Sequence, residues 1–189
     1  MKMVLPMYAM VLEEDGRKKR YSLPSGETDW FVWDEEIEKF YQEQQSKIDT
    51  IIYGQATYDT MSKYWPTSSA SQEVSAIVEH MNNTPKIVFS KTFQKAEWNN
   101  TRIVKEIDKK EILQWKQQPG QNMVIYGSGT IVSQLSKLNL IDEYLLMVNP
   151  IVLGRGKLLF PEIETKISLQ LINVKKFNIG SVLFNYRPS

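Results

Sequence analysis

The sequence predicts an α/β domain whose mostly parallel sheet ends in antiparallel strands. Three observations predict it. Apolar, strand-like runs alternate with helical spacings through the first two-thirds of the chain. After Asn139 almost everything reads as strand or loop. Between these regions, residues 123–135 read MVIYGSGTIVSQL, a strand that turns through glycines into a helix. Strands joined by helices make parallel ladders, and late strands joined by tight turns make antiparallel ones.

Each element has its own warrant. Residues 3–12 are mainly apolar and read as a buried first strand. Residues 13–26 are polar, with the basic run Arg17-Lys18-Lys19-Arg20 and a Pro24-Ser25-Gly26 turn, and read as a surface loop. Residues 34–47 carry Ile37, Phe40 and Tyr41 at helical spacing, with acids in the first turn where the helix dipole favours them. Residues 50–53 form a second strand stopped by Gly54, and helices over 56–64 and 71–82 follow. The stretch 66–71 is a short loop. Pro85 precedes a strand over 86–89, and a short strand is expected over 102–105. Asp108 caps a helix over 108–117 that Pro119-Gly120 stops. The strand and helix of 123–135 come next. Residues 143–152 alternate and are rich in β-formers. Strands over 168–177 and 181–187 make a closing hairpin around Asn178 and Gly180.

The 189 residues fit one domain spanning 1–189. A net charge of +1 gives no field favouring nucleic acid or a membrane surface. The absence of cysteine excludes disulfides, thiol nucleophiles and cysteine-built zinc sites, and fits a cytoplasmic location. No metal site is expected. The apolar run at the N-terminus is interrupted by acids too soon for a signal peptide or a membrane span.

The chemistry is expected where strands end. Gly127-Ser128-Gly129-Thr130 lets a phosphate approach the backbone, and the first helical N–H groups point at it. Gly54-Gln55-Ala56-Thr57 repeats that logic at the second strand, so two such turns can grip the two phosphates of one dinucleotide. Ser90-Lys91-Thr92 at a third strand end offers hydroxyls and a cation to a terminal phosphate. The plain alternative for each is ordinary turn and cap chemistry. Asp34, Glu35, Glu36 and Glu38 open the first long helix. A buried member serves as a proton donor, and a solvated one simply satisfies the helix dipole. His80 has no Cys or His neighbour and is expected at the surface. Trp30 and Trp65 lie in loops where a flat heterocycle can stack.

These segments together resemble the dihydrofolate reductase superfamily. Within it, the chain is most similar to the C-terminal reductase domain of the riboflavin-biosynthesis protein RibD. The resemblance covers essentially the whole chain. It rests on Gly26-Glu27-Thr28-Asp29-Trp30, residues 49–58 (DTIIYGQATY), residues 86–92 (KIVFSKT), residues 124–135, and residues 142–161 through Pro150-Ile151-Val152-Leu153-Gly154. It implies a three-layer α/β/α domain with about eight strands, binding NADPH across the strand C-termini. By the resemblance Gly54, Gln55, Ala56 and Thr57 touch phosphates, Ser90 and Lys91 lie near the 2′-phosphate, and Gly127, Ser128, Gly129, Thr130 and Ile131 wrap the pyrophosphate and nicotinamide ribose. Ala9 joins the cofactor set. Trp30 and Glu38 are candidate substrate residues, and Glu35, with Asp34 as alternative, the candidate catalytic acid. The family usually carries Arg-Lys where this chain has Gln55-Ala56, which removes a cation and leaves NADH possible. The loop over 13–20, a lid in the family, is polar throughout here.

The function implied is an NADPH-dependent reductase of a pterin-like or ribosylamino-pyrimidine substrate. The alternative is a nucleotide-binding or regulatory homodimer of the same fold. A homodimer is expected in either case. The runs 144–148 and 181–184 are apolar at nearly every position, and no late helix is available to cover them. Helices from earlier in the chain are the other possible cover.

Overall fold

Side-chain alternation along the strands sorts the apolar residues onto two faces, and helices bury each face. The computed structural model describes residues 1–6, 34–67, 70, 73–151 and 160–189. In chain order the elements are β1 (Lys2–Pro6), α1 (Glu35–Gln45), β2 (Ile48–Gly54), α2 (Gln55–Ser62), α3 (Ser75–Asn83), β3 (Lys86–Phe89), β4 (Thr101–Val104), α4 (Lys109–Gln117), β5 (Asn122–Ile125), α5 (Gly129–Lys137), β6 (Glu143–Val148), β7 (Leu169–Lys176) and β8 (Val182–Pro188). The strands form one sheet in the order β4-β3-β2-β5-β1-β6-β8-β7. The pairs from β4 through β6 are parallel, and β6–β8 and β7–β8 are antiparallel. The expected mixed α/β sheet with its closing hairpin is the one observed.

On one face Met3, Leu5, Ile52, Met123, Ile125 and Tyr144 pack against Ile112 and Trp115 of α4 and Ile131, Val132 and Leu135 of α5. On the other face Ile51, Tyr53 and Val88 meet Tyr58 of α2 and Met81 of α3. Further along that face Met147 and Leu183 meet Ile37 and Tyr41 of α1. Neighbouring residues of β2, Ile51 and Ile52, thus serve opposite layers, as the strand period requires.

Several boundaries differ from expectation. β2 starts earlier than residue 50, at Ile48. The third helix starts at Ser75, because Val74 is extended and supplies the first acceptor, to Ile77 N–H. β6 stops at Val148 rather than reaching residue 152. Asn149 turns away to accept a 2.8 Å bond from Ser181 Oγ, and Pro150 has no N–H for a ladder. The first strand is described only to Pro6, and the polar loop over 13–20 lies outside the described residues. No described helix is long and apolar enough to cross a membrane.

His80 corrects the surface expectation. It is half-buried in the last turn of α3, with Nδ1 3.3 Å from Thr84 Oγ1 and a buried Nε2 that has no partner. Burial first, and then the nearby Lys86 ammonium, lower its pKa.

Lys86 is the one buried cation among the described residues, at 1% exposure. Its Nζ donates to Asn82 O at 3.0 Å, Thr84 O at 2.8 Å and Asn99 O at 3.3 Å, and stands 4.5 Å from the Trp98 ring centre. It ties the end of α3 to the turn before β4. Burial pushes its pKa down to about 8. The unfolded chain, at the ordinary 10.5, therefore binds the proton more tightly between those two values. Stability is expected to rise as pH is raised from 8 towards 10.5, and Lys86→Met is expected to flatten that rise in urea unfolding curves. An unchanged slope in the variant would remove Lys86 as its source.

Candidate functional site

β2 and β5 are neighbours at the centre of the sheet, and each runs straight into a helix. Gly54 caps α2 and Ser128 caps α5, and neither helix receives a side-chain cap bond or carries an acid in its first turn. α1 and α4 differ. Asp34 Oδ1 accepts from Ile37 N–H at 2.9 Å, and Asp108 Oδ1 from Lys110 N–H at 2.7 Å. The N–H groups that open α2 and α5 are thus left for another acceptor, and the positive ends of both dipoles lie at one place.

The two turns are fastened to each other. Gly54 N–H donates to Gly127 O at 2.6 Å, and Tyr126 N–H to Ile52 O at 3.0 Å. Gly54 is required by contact: a Cβ there would sit 2.7 Å from Ser128 Oγ and 2.8 Å from Ile131 Cγ1. Gly127 is required by conformation, with φ at +110°, where side chains are strained; its peptide to Ser128 is cis. Thr57 in the first turn of α2 and Ser133 in α5 are both fully buried, and their hydroxyl oxygens have no partner.

The end of β3 joins this cluster through Gln55. Ser90 Oγ donates to Gln55 Oε1 at 2.7 Å and Thr92 Oγ1 to the same oxygen at 2.8 Å. Ser90 Oγ in turn accepts from the N–H groups of Thr92 and Phe93. Beside it a cavity of about 510 Å³ opens between β3, β4 and α5, bordered by Lys91, Lys105, Glu106, Gln134 and Lys137. Lys105 Nζ donates to Phe93 O. Lys91 and Lys137 have no ion pair among the described residues.

The structure therefore brings Gly54, Gln55, Ala56, Thr57, Ser90, Lys91 and the segment Gly127, Ser128, Gly129, Thr130, Ile131 to one edge of the sheet. The acidic helix start lies at the same edge, further along. Glu36 Oε2 accepts from Asn178 N–H at 2.9 Å in the β7–β8 turn, and α1 packs on β6 and β8. Asp34 is the cap of α1, Glu35 is exposed, and Glu38 Oε1 accepts from Gln42 Nε2 at 3.2 Å. Ala9 and Trp30 lie outside the described residues. Trp65 does not reach the site. Its carbonyl accepts from Asn82 Nδ2 at 3.0 Å near the start of β3, at the opposite edge, and its ring packs in the α2–α3 layer. Lys105, Gln134 and Lys137 were not singled out in the sequence. They carry no local motif, and only the approach of β4 and α5 makes them neighbours.

Comparison with known proteins places this geometry. The model of the RibD C-terminal domain matches residues 15–183. The chain is similar to a protein of Bacillus subtilis named uncharacterized protein YyaP, 28% identical over 162 residues, 86% of this chain and 85% of that one. Its fold is similar to a putative riboflavin biosynthesis protein from Shewanella sp. PV-4, with TM-score 0.66, 16% identity and coverage of 100% of this chain and 99% of the other. It is also similar to a dihydrofolate reductase from Enterococcus faecalis complexed with NADP(H), with TM-score 0.59, 16% identity and coverage of 100% and 96%.

The contacts of Gly54 make a direct test. Gly54→Ala is expected to cost about 1–3 kcal/mol of stability, the usual range for forcing an extra carbon into a packed site. Urea denaturation checks it, and a neutral result would mean that the two turns separate freely.

Proposed function

The chain belongs to the RibD C-terminal domain family, and from that premise we propose that it is an NADPH-dependent reductase that delivers hydride to a flat heterocycle of the pterin-like or ribosylamino-pyrimidine class. One observation carries this reading: two helix N-termini without side-chain caps, fastened by Gly54 and Gly127 at adjacent strand ends. Such a pair suits the two phosphates of a dinucleotide. The donor set fits. The first turn of α2, including Thr57, would hold one phosphate, Gly129, Thr130 and Ile131 the other, and the cavity beside Lys91 the adenosine end. The bound dinucleotide supplies the hydride; the chain binds, orients and excludes water. Ala9 and Trp30 are assigned to cofactor and substrate by resemblance alone. A cytoplasmic location is part of the same proposal.

For the proton, Glu35 is the candidate acid by the resemblance, although burial does not single it out. Asp34 is committed to capping α1 and Glu38 to Gln42, whereas Glu35 is exposed. That commitment of the neighbouring acids also favours a second reading, a nucleotide-binding or regulatory homodimer that turns over little substrate. Titration calorimetry with NADPH, NADH, NADP+ and ATP, followed by turnover assays, separates the two. Glu35→Gln is expected to lower turnover without changing nucleotide affinity. Full activity across the pH range would leave Glu35 a role at the helix dipole only.

A homodimer through the late strands belongs to this proposal. α1 covers one face of β6 and β8. On the other face Leu146, Phe184 and Tyr186 continue into Val174 and Leu171, which pair with Phe184 and Tyr186, and Leu171 is 48% and Val174 39% exposed. A second copy would bury that face. A dimer mass by light scattering at micromolar concentration, lost in Leu171→Glu, is expected; a monomer mass for the unaltered chain would rule the dimer out.

The main test is at the glycines. Gly129→Val is expected to abolish NADPH binding while the circular dichroism of the fold is kept, because the side chain enters the phosphate path. A folded variant with unchanged affinity would put the nucleotide elsewhere.

A further inference from the structure

We propose that His80 and Lys86 form an acid-released latch: protonating His80 sets a second cation beside the Lys86 ammonium and opens the turn that joins α3 to β3. The latch is a knot of three segments. Lys86 Nζ spends its three protons on Asn82 O, Thr84 O and Asn99 O, so the ammonium has no donor left. Carbonyl dipoles and the Trp98 ring, 4.5 Å away, are what face its charge. Trp98 is held in turn. Its indole N–H donates to Asn82 Oδ1 at 2.8 Å, and its backbone N–H to Tyr58 Oη at 3.1 Å. Asn82 Nδ2 donates to Trp65 O at 3.0 Å. Thr84 N–H donates to His80 O, and Lys86 N–H to Asn100 O. The last turn of α3, the chain after α2 and the turn before β4 therefore hold or fail together.

His80 is the element of this knot that acid can change. Its Nδ1 lies 3.3 Å from Thr84 Oγ1, and its Nε2 is buried with no partner. A neutral imidazole tolerates one idle nitrogen, but an imidazolium carries two N–H donors. Protonation thus leaves a buried donor unmade and adds a like charge near Lys86. No opposite charge offsets it. Among the described residues no carboxylate pairs with His80 or Lys86, and Glu79 and Glu97 are exposed. The other ionisable groups packed here are the phenols of Tyr58 and Tyr53, which ring Trp98; burial holds the Tyr53 hydroxyl neutral. Burial and then Lys86 lower the His80 pKa, so the unfolded chain, at the ordinary 6.5, binds the proton more tightly. The stability His80 contributes is whole above that value and is lost as pH falls below it. The simplest relief is for the imidazole to swing into water. That gives up Thr84 and frees the turn whose carbonyls cage Lys86.

The chain has one histidine, so its imidazole proton resonances report His80 alone. The test is an NMR titration of the full chain from about pH 8 to about pH 5, with amide hydrogen exchange measured at each end and corrected for the intrinsic effect of pH. His80 is expected to titrate below 6.5. Across that titration the amides of Thr84, Lys86 and Trp98 should lose protection several-fold, while the β2–β5 ladder keeps its own. Lys86→Met should move the His80 midpoint up towards 6.5, because it removes the facing cation. His80→Gln should abolish the acid response of the three amides. A midpoint at or above 6.5, protection that does not change as His80 titrates, or the same loss of protection in His80→Gln would each overturn the proposal. The unaltered chain and His80→Gln decide it even if Lys86→Met fails to fold.

Discussion

The hydrogen bond from Gly54 N–H to Gly127 O, 2.6 Å long, fastens two crossovers of the sheet at one point. β2 and β5 are separated by a long stretch of chain, yet they pair because β5 enters the sheet between β2 and β1. Their paired register ends at Ile52 and Ile125, and beyond it the backbones lead into their separate helices. The bond holds them together two residues further on. It is possible only because residue 54 has no side chain to strike Ser128 and Ile131, and because residue 127 adopts a φ of +110°. With that contact made, α2 and α5 begin side by side and aim their first N–H groups at the same region. The cavity beside Lys91 lies where the ends of β3 and β4 face α5.

The distribution of acids supports the same place. α1 and α4 carry acids in their first turns and are capped by Asp34 and Asp108, which quiets their dipoles within the protein. α2 and α5 have no acid in the first turn and no side-chain cap. Lysines rather than carboxylates dominate the adjoining cavity. Helix ends satisfied by their own carboxylates are closed to an anionic ligand, and those without them remain open. α3 likewise has no first-turn acid and no side-chain cap, so what sets α2 and α5 apart is that their starts are fastened together at adjacent strand ends.

Much of this was legible in the sequence. Elements whose signals are local came through: Asp108 before a helical spacing, the glycines after two apolar runs, and the hairpin around Asn178 and Gly180. The two strand–glycine–helix turns were legible for the same reason, since a strand, a glycine and a helix start are consecutive in the chain. Three features were not. His80 sits among polar neighbours in sequence but packs beside Lys86 and Thr84 in space. Trp65 reads as a loop residue near the cleft, whereas α2 carries it to the far edge, since a helix following a parallel strand runs back along the sheet. The role of Gln55 was hidden as well. As a departure from the family's Arg-Lys it looked like a lost cation, and only the approach of β3 shows that its oxygen takes two hydroxyl protons.

The far end of the sheet obeys a different constraint. An apolar strand at an edge invites open-ended pairing, and β7 carries devices that oppose it. Its register slips between Leu171 and Asn173, which makes Ile172 the extra residue of a bulge. Lys175 and Lys176 then end the strand, Lys175 lying over the Phe40 and Phe177 rings and 3.8 Å from Glu36. The edge is thus twisted and charged, while the face beside it keeps Leu171, Val174, Phe184 and Tyr186 in one apolar row. α1 packs on the opposite face, against Met147 and Leu183. A partner that covered the row face to face would bury apolar area without extending the ladder. A two-fold related copy offers the same row in return and closes the assembly, whereas edge pairing would have to break the bulge and bury two ammonium groups. The physical preference within the proposed dimer is therefore for stacked faces over a continued sheet.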